Sequence, residues 1–216
     1  MRTNNILTAL LVVAAATAAS AQSPQGVPLQ LAPGSWVTIK GTSTLHGFTC
    51  KTDKLEAYID VDPAYRIKQL TEVSHPIVQT RVVIQVKSLK CGEGKMDENM
   101  YGTLKAKENP TISYVLSTYE LSGTASPTGF AANTSGELTI AGKANPVTMT
   151  IKAEKGADGA ASATGSYTLL MTDFGIKPPR FMFGTLRVGN QIVVSFSIKA
   201  SAQTVAMLSG STVAAP

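Results

Sequence analysis

The chain has 216 residues, of which 44% are hydrophobic and 15% charged, and its formal net charge is +5. This apolar content excludes a disordered chain, and the length predicts one domain or at most two small ones. No apolar run reaches the ~18 residues that a transmembrane helix needs, so no stable membrane insertion is predicted. The Lys and Arg residues are scattered without interleaved aromatic residues, which argues against nucleic-acid binding.

The N-terminus has the pattern of a secretory signal peptide. Arg2 is followed by an apolar stretch at residues 6–16, and small residues then end in Ala-Ser-Ala at 19–21. A basic start, an apolar centre and an A-x-A site are the three parts of such a peptide. We therefore predict a signal peptide at residues 1–21, a mature chain from Gln22 and a periplasmic or secreted protein. The alternative is an uncleaved membrane anchor, which the short apolar stretch disfavours.

Export changes the interpretation of the two cysteines, Cys50 and Cys91. In an oxidising compartment, two lone cysteines usually pair. Neither lies in a C-x-x-C motif or a Cys/His cluster, and His46 and His75 are the only histidines. We therefore predict a disulfide between Cys50 and Cys91 and no metal site; two free buried thiols are the alternative.

Apolar and polar residues alternate along most of the chain, which is typical of strands with one buried face. Such strands are predicted at 55–61, 78–86, 147–153, 167–171 and 192–198, and weaker ones at 35–41, 112–119 and 136–140. Turn residues at 142–146 and 156–160 separate neighbours closely enough for antiparallel hairpins. The segment 62–76 is either a long loop or contains a short strand. About eight antiparallel strands predict a barrel or a sandwich.

One segment, at residues 96–106, breaks this alternation. Three apolar residues spaced four apart share one helical face there: Met96, Met100 and Leu104. We predict a short helix that closes one end of the barrel with this face, and expect Asn99 and Thr103 to point outward or sideways. Two roles stay open for the helix, a fixed plug or a flexible, Met-lined gate to a cavity.

The sequence contains no recognisable catalytic constellation. A G-x-S-x-G elbow, a phosphate-binding glycine loop and an H-E-x-x-H motif are all missing, and neither histidine lies in a triad-like context. We therefore predict no enzyme activity, no catalytic residues and no cofactor.

Several short motifs follow one another in a recognisable order. They are STLHGF at 43–48, SLKCG at 88–92, KAKENPTISY at 105–114, GELTIAG at 136–142 and DFGI at 173–176. Together they resemble the YceI-like family of lipid- or polyisoprenoid-binding proteins. The resemblance implies an all-β, lipocalin-like, up-and-down antiparallel barrel of about eight strands. It also implies an elongated apolar cavity for an isoprenoid chain.

The resemblance covers residues 34–200 and completes the predicted organisation of the chain. An N-terminal extension at 22–33 precedes the barrel, and a disordered tail at 201–216 follows it. The implied function is a non-catalytic carrier or reservoir whose partner is an isoprenoid lipid or a quinone. The alternative is a solid-cored envelope or stress protein that acts through its surface. The headgroup of the lipid and the oligomeric state are left open.

The inward faces of the predicted strands and helix nominate the ligand-binding residues. These candidates are aliphatic or aromatic: Val82, Ile84, Val86, Met100, Met149, Ile151, Leu169, Phe196 and Ile198. A barrel of this size either fills with side chains or holds one small ligand. The same residues would therefore serve a solid core equally well.

Overall fold

A computed structural model describes residues 27–28, 30–61, 77–122 and 129–201, together with Thr204 and Ala206. The predicted signal peptide, the undecided segment 62–76 and most of the predicted tail lie outside these residues. Within the described ranges, no helix is both long and apolar enough to cross a membrane.

The described residues form strands, one α-helix and three short 3₁₀ turns. The strands are β1 (Val27–Pro28), β2 (Trp36–Ser43), β3 (Gly47–Thr52), β4 (Leu55–Val61), β5 (Ile77–Gln85), β6 (Thr111–Leu121), β7 (Gly129–Ile140), β8 (Lys143–Lys155), β9 (Ala161–Leu170), β10 (Arg180–Phe181) and β11 (Leu186–Ala200). The helix α1 spans Gly94–Thr103, and the 3₁₀ turns span Val86–Ser88, Met171–Phe174 and Met182–Gly184.

The strands form one curled antiparallel sheet. Its order is β1-β4-β5-β6-β7-β8-β9-β11-β2-β3, and β10 pairs with β11. From β4 to β9 each strand pairs with the next along the chain, which is the up-and-down connection implied by the resemblance and consistent with the antiparallel hairpins expected from the turns. A backbone bridge between Lys51 and Lys90 joins β3 to the segment after β5. The predicted lipocalin-like antiparallel barrel with a short helix at one end is confirmed.

The hairpin between β7 and β8 shows how turn chemistry sets the register. Ala141 and Gly142 both have positive φ angles, 50° and 79°, which is typical of the two-residue turns that match strand twist. The strand resumes at Lys143, so the turn is shorter than the segment 142–146 expected from the sequence. Pro146 lies inside β8 opposite Glu137. It is tolerated because the described ladder to β9 begins only at Ile151, which leaves no partner strand on that side.

The barrel interior contains two separate apolar clusters. The helix-end cluster is the larger, and its buried residues are Val37, Ile84, Val86, Leu89, Ala106, Ile112, Ile140, Leu169, Met171, Phe174, Ile176 and Ile192. The far-end cluster consists of buried Leu116, Tyr119 and Ala132, with Ile77, Tyr114, Phe130 and Ile151 packed against them. The two clusters divide the barrel along its strands, because Ile112 and Leu116 belong to the same strand, β6.

The segment just before β2 pairs with the end of β11 and with the residues that follow it. Leu31 forms a bridge with Ala200, and the Ser201 N–H donates to the Gln30 carbonyl at 3.1 Å. The Thr204 side chain is buried and its hydroxyl donates to the same carbonyl at 3.4 Å. The described part of the N-terminal extension is therefore attached to the end of β11, in addition to the pairing of β1 with β4.

Candidate functional site

A cavity of about 540 Å³ lies beneath α1. Its strand walls are apolar except for Ser43 at the end of β2; the apolar wall residues include Ile39, Phe48, Ile112, Ile140, Leu169, Val188, Ile192 and Val194. The other polar lining residues come from the β2–β3 turn, from α1 and from the segment before it: His46, Glu93, Lys95, Asn99 and Thr103. This volume is typical of small-molecule sites, which span roughly 300–1,000 Å³. The cavity therefore combines an apolar interior with a polar border on one side.

Helix α1 covers the cavity with the predicted face. Met96, Met100 and Leu104 are half-buried and all line the cavity, as expected from their spacing. Asn99 and Thr103 line it too, so the expectation that they point outward or sideways is wrong. The helix begins at Gly94 and ends at Thr103, earlier than predicted at both ends. It ends there because Lys105 adopts a left-handed conformation with φ 52°.

The first turn of α1 is fixed to the barrel by a disulfide and a buried carboxylate. The predicted Cys50–Cys91 disulfide is present and joins β3 to the segment before the helix. Asp97 is only 8% exposed, and its Oδ1 accepts a hydrogen bond from the Cys91 N–H at 2.7 Å. Its other oxygen lies 3.3 Å from the Lys90 ammonium. These links favour the fixed-plug role for the start of the helix.

Tyr101 attaches the next turn of α1 to the same segment. Its hydroxyl oxygen lies 2.7 Å from the Leu89 carbonyl oxygen and 2.9 Å from that of Lys87. The Lys90 ammonium donates to the Tyr101 hydroxyl at 2.8 Å and lies 5.3 Å from the centre of its ring. Hydrogen bonds to Tyr101 and Asp97 raise the pKa of Lys90. The cover over the cavity is therefore held by side chains on two successive helical turns.

The cavity ends at a layer of side chains that contains three aromatic rings. One inward position beyond the lining residues, the strands present Val37, Tyr114, Leu138, Tyr167 and Phe196, none of which lines the cavity. Glycines let two of these rings lie close to the sheet. A Cβ atom on Gly165 would lie 2.6 Å from Phe196 Cζ, and one on Gly136 would lie 2.7 Å from the Tyr114 hydroxyl oxygen. These aromatic rings close the cavity on the side of the far-end cluster, to which Tyr114 itself belongs.

The residues nominated from the sequence fall into three groups. Met100 and Leu169 line the cavity. Ile84 and Val86 belong to the helix-end cluster, Phe196 packs against it, and Ile151 packs in the far-end cluster. Val82, Met149 and Ile198 belong to neither the cavity lining nor a cluster. Alternation predicts the inward face of a strand but not the depth along the barrel, so it did not distinguish these groups.

Several lining residues were not nominated, although the motifs contained them. Phe48 lies in the motif at 43–48, Ile112 and Ile140 lie in the motifs at 105–114 and 136–142, and Ile176 closes the motif at 173–176. Their positions inside these motifs were the sequence signal that could have identified them.

The curled antiparallel sheet, with an apolar cavity under a helical cover among the described residues, defines a lipocalin-like barrel. The sequence profile of the YceI-like domain matches residues 34–200, and the chain belongs to the YceI-like family. A search of curated proteins found no match.

Solved structures share this fold. The structure of BcnA from Burkholderia cenocepacia has 21% identity and a TM-score of 0.60, with 77% of this chain and 96% of that chain covered. A polyisoprenoid-binding domain from Saccharophagus degradans has 11% identity and a TM-score of 0.61, with 81% and 97% covered. A YceI protein from Campylobacter jejuni has 20% identity and a TM-score of 0.51, with 70% and 82% covered. At these identities the likeness concerns the fold.

Proposed function

We propose that the protein is a non-catalytic, exported carrier or reservoir that binds an isoprenoid lipid or a quinone in the helix-end cavity. The observation that carries this proposal is the 540 Å³ cavity with uncharged, mainly apolar strand walls. Membership of the YceI-like family and the likeness to a polyisoprenoid-binding domain support the ligand class. The signal-peptide pattern at residues 1–21 supports a periplasmic or secreted location.

The shape of the cavity suggests how such a ligand would lie. Each CH₂ group moved from water to apolar walls contributes roughly 0.8 kcal/mol before ordering costs. The chain would therefore enter the apolar interior, and its end would stop at the layer that contains Phe196. A polar headgroup would remain near the border formed by Lys95, Asn99 and His46. A long polyprenyl chain would extend beyond the border because the cavity suits a small molecule.

The polar groups around the cavity favour binding rather than catalysis. Among the described residues, no three His, Cys, Asp or Glu side chains are grouped as a metal site would require. The exposed His46 ring has its Nδ1 2.7 Å from the Gly47 carbonyl oxygen, in a local contact rather than beside a nucleophile. Any headgroup would therefore meet dispersed polar residues.

Mass spectrometry of an organic extract from gently purified protein tests the proposal. We expect one isoprenoid or quinone species in an amount comparable to that of the protein. The matched control is Val194→Trp, which adds bulk to the cavity wall and should be purified without this lipid. Absence of lipid from the wild type, or equal lipid in both proteins, would contradict the carrier function. That result would favour the surface-acting alternative.

A further inference from the structure

The rim of the cavity exposes two large apolar side chains on adjacent loops. Leu45, in the β2–β3 turn, is 75% exposed, and Phe183, at the tip of the β10–β11 hairpin, is fully exposed. Leu45 lines the cavity, as do Phe181 and Leu186 at the base of that hairpin. Large apolar residues exposed together at a ligand-site entrance usually mark an interaction surface.

Hydrogen bonds through Thr44 hold the two loops together. The Thr44 N–H donates to the Arg187 carbonyl at 2.9 Å, and its hydroxyl donates to the Thr185 carbonyl at 3.1 Å. The Arg187 N–H donates back to the Thr44 hydroxyl oxygen at 3.2 Å. Leu45 and Phe183 are therefore presented by one connected rim, made of residues 43–46 and 177–187.

The hairpin tip presents Phe183 in a strained conformation. Phe183 has φ 54° and ψ 28°, a left-handed conformation that a bulky residue rarely adopts. Gly184 follows with φ 89°, and its carbonyl accepts a hydrogen bond from Arg187 Nε at 2.8 Å. The ring gains no burial in return for this strain. Strain retained at an exposed aromatic residue points to a partner for that residue.

The charges on the rim identify the kind of partner. Residues 177–187 contain Lys177, Arg180 and Arg187 and no acidic residue, and residues 43–46 contain no acidic residue either. The residue just before the facing helix, Glu93, lies at the cavity border, and Glu98 of the helix is paired with Lys95 at 3.3 Å. Basic side chains beside exposed Leu and Phe match an interface of anionic headgroups over acyl chains.

We infer that this rim docks the protein onto an anionic lipid bilayer, with Leu45 and Phe183 inserted at the headgroup level. The inference rests on the proposed function, because a bilayer is the source or the destination of an isoprenoid ligand. In this orientation the cavity entrance faces the membrane, so a lipid chain moves between bilayer and barrel without crossing open water. Aromatic and aliphatic side chains favour this interfacial position.

Vesicle flotation tests the inference with protein from the exported fraction, its N-terminus checked by mass spectrometry. The vesicles are phosphatidylcholine alone or phosphatidylcholine mixed with phosphatidylglycerol. We expect binding to the mixed vesicles that weakens as salt is added, because the headgroup attraction is screened. Binding should fall at least about fivefold in Leu45→Ser/Phe183→Asn, which removes both apolar side chains. Asn tolerates the left-handed conformation at position 183, so this variant should fold.

Leu121→Ser is the matched control. Leu121 is 49% exposed and lies at the end of β6 away from the cavity, so this substitution should not affect vesicle binding. Arg180→Gln should reduce binding to the mixed vesicles and should leave binding to the phosphatidylcholine vesicles unchanged. Absence of vesicle binding, or equal losses in the rim and control variants, would overturn the inference. Self-association that disappears in Phe183→Asn, without vesicle binding, would overturn it in favour of a second copy as the partner.

Titration with a soluble fluorescent quinone analogue, without vesicles, separates this inference from the proposed function. Analogue binding without vesicle docking would remove only the docking inference. Docking without analogue binding would instead remove the proposed carrier function and leave a membrane-docking barrel.

Discussion

The two ends of the barrel are built from the same strands but differ in how their interior is filled. On β6, Ile112 lines the cavity at the helix end, whereas Tyr114 and Leu116 pack in the far-end cluster. On β11, Val194 lines the cavity and Phe196 belongs to the layer beneath it. The mainly aliphatic side chains at the helix end thus leave a void, whereas the aromatic rings of the next layer close it. A change from aliphatic to aromatic side chains at one level along the strands therefore separates a cavity from a packed core.

The largest expected effect comes from loosening the cover at the helix end. Cys50→Ser/Cys91→Ser should lower the free energy of unfolding by about 4 kcal/mol, because the disulfide closes a loop across a separation of 41 residues. Chemical denaturation measures the total loss. Hydrogen exchange should show the larger loss of protection in α1 rather than in the β7–β8 hairpin. Equal loss in both regions would contradict a local role for the disulfide.

Removing the ring between the two regions should have the next largest effect. Phe196→Ala should cost about 3 kcal/mol and extend the cavity toward the far end. Binding of fluorescent polyprenyl analogues should then shift in favour of longer chains. Phe130→Ala, in the far-end cluster, is the matched control and should destabilise the protein without changing this preference. An unchanged preference in Phe196→Ala would show that its ring does not limit cavity depth.

A smaller effect is expected from the Tyr114 hydroxyl, which is buried without a hydrogen-bond partner among the described residues. Burial raises the pKa of Tyr114 above 10.0, with a smaller opposing effect from Thr134. Tyr114→Phe should therefore leave stability at neutral pH unchanged or raise it by about 1 kcal/mol.

The pH dependence of unfolding provides a second measurement of the same group. At a pH between the pKa of Tyr114 in the unfolded state and its pKa in the folded state, more of the folded molecules than of the unfolded molecules carry the Tyr114 proton. Wild-type stability should therefore fall as pH rises above about 10, and Tyr114→Phe should lose less over that range. Identical pH profiles would contradict the raised pKa.

Local sequence patterns predicted most of the strands and the helix, whereas the choice of a barrel over a sandwich came from the resemblance to the YceI-like family. Alternation located the larger strands, the spacing of Met96, Met100 and Leu104 identified the face of α1 over the cavity, and export predicted the disulfide. Strand β3 was not predicted as a separate element, because its inward residues Phe48 and Cys50 alternate without an aliphatic run. The strands and the helix face depend on neighbouring residues along the chain, so a local sequence pattern contains most of the information needed to predict them.

Cavity depth could not be predicted in the same way. Phe196 and Leu169 are equally inward by alternation, yet only Leu169 lines the cavity. The difference depends on which rings from other strands lie at the same level, and on glycines such as Gly165 that let them approach. Which side chains lie at the same level is set by the register of all the strands around the barrel, and a local sequence pattern does not contain this register. Likewise, the amphipathic spacing of α1 did not show that Asn99 also faces the cavity.

The central claim is that the helix end is hollow and the far end is filled, and paired Trp substitutions test it most directly. Val194→Trp adds bulk to the cavity wall, and Ile151→Trp adds the same ring to the far-end cluster. Titration with a fluorescent quinone or polyprenyl analogue, alongside denaturation, gives affinity and stability for both. We predict that Val194→Trp loses binding with little loss of stability, whereas Ile151→Trp keeps binding and loses roughly 1–3 kcal/mol. Retained binding in Val194→Trp, with stability losses of similar size in both variants, would contradict the account.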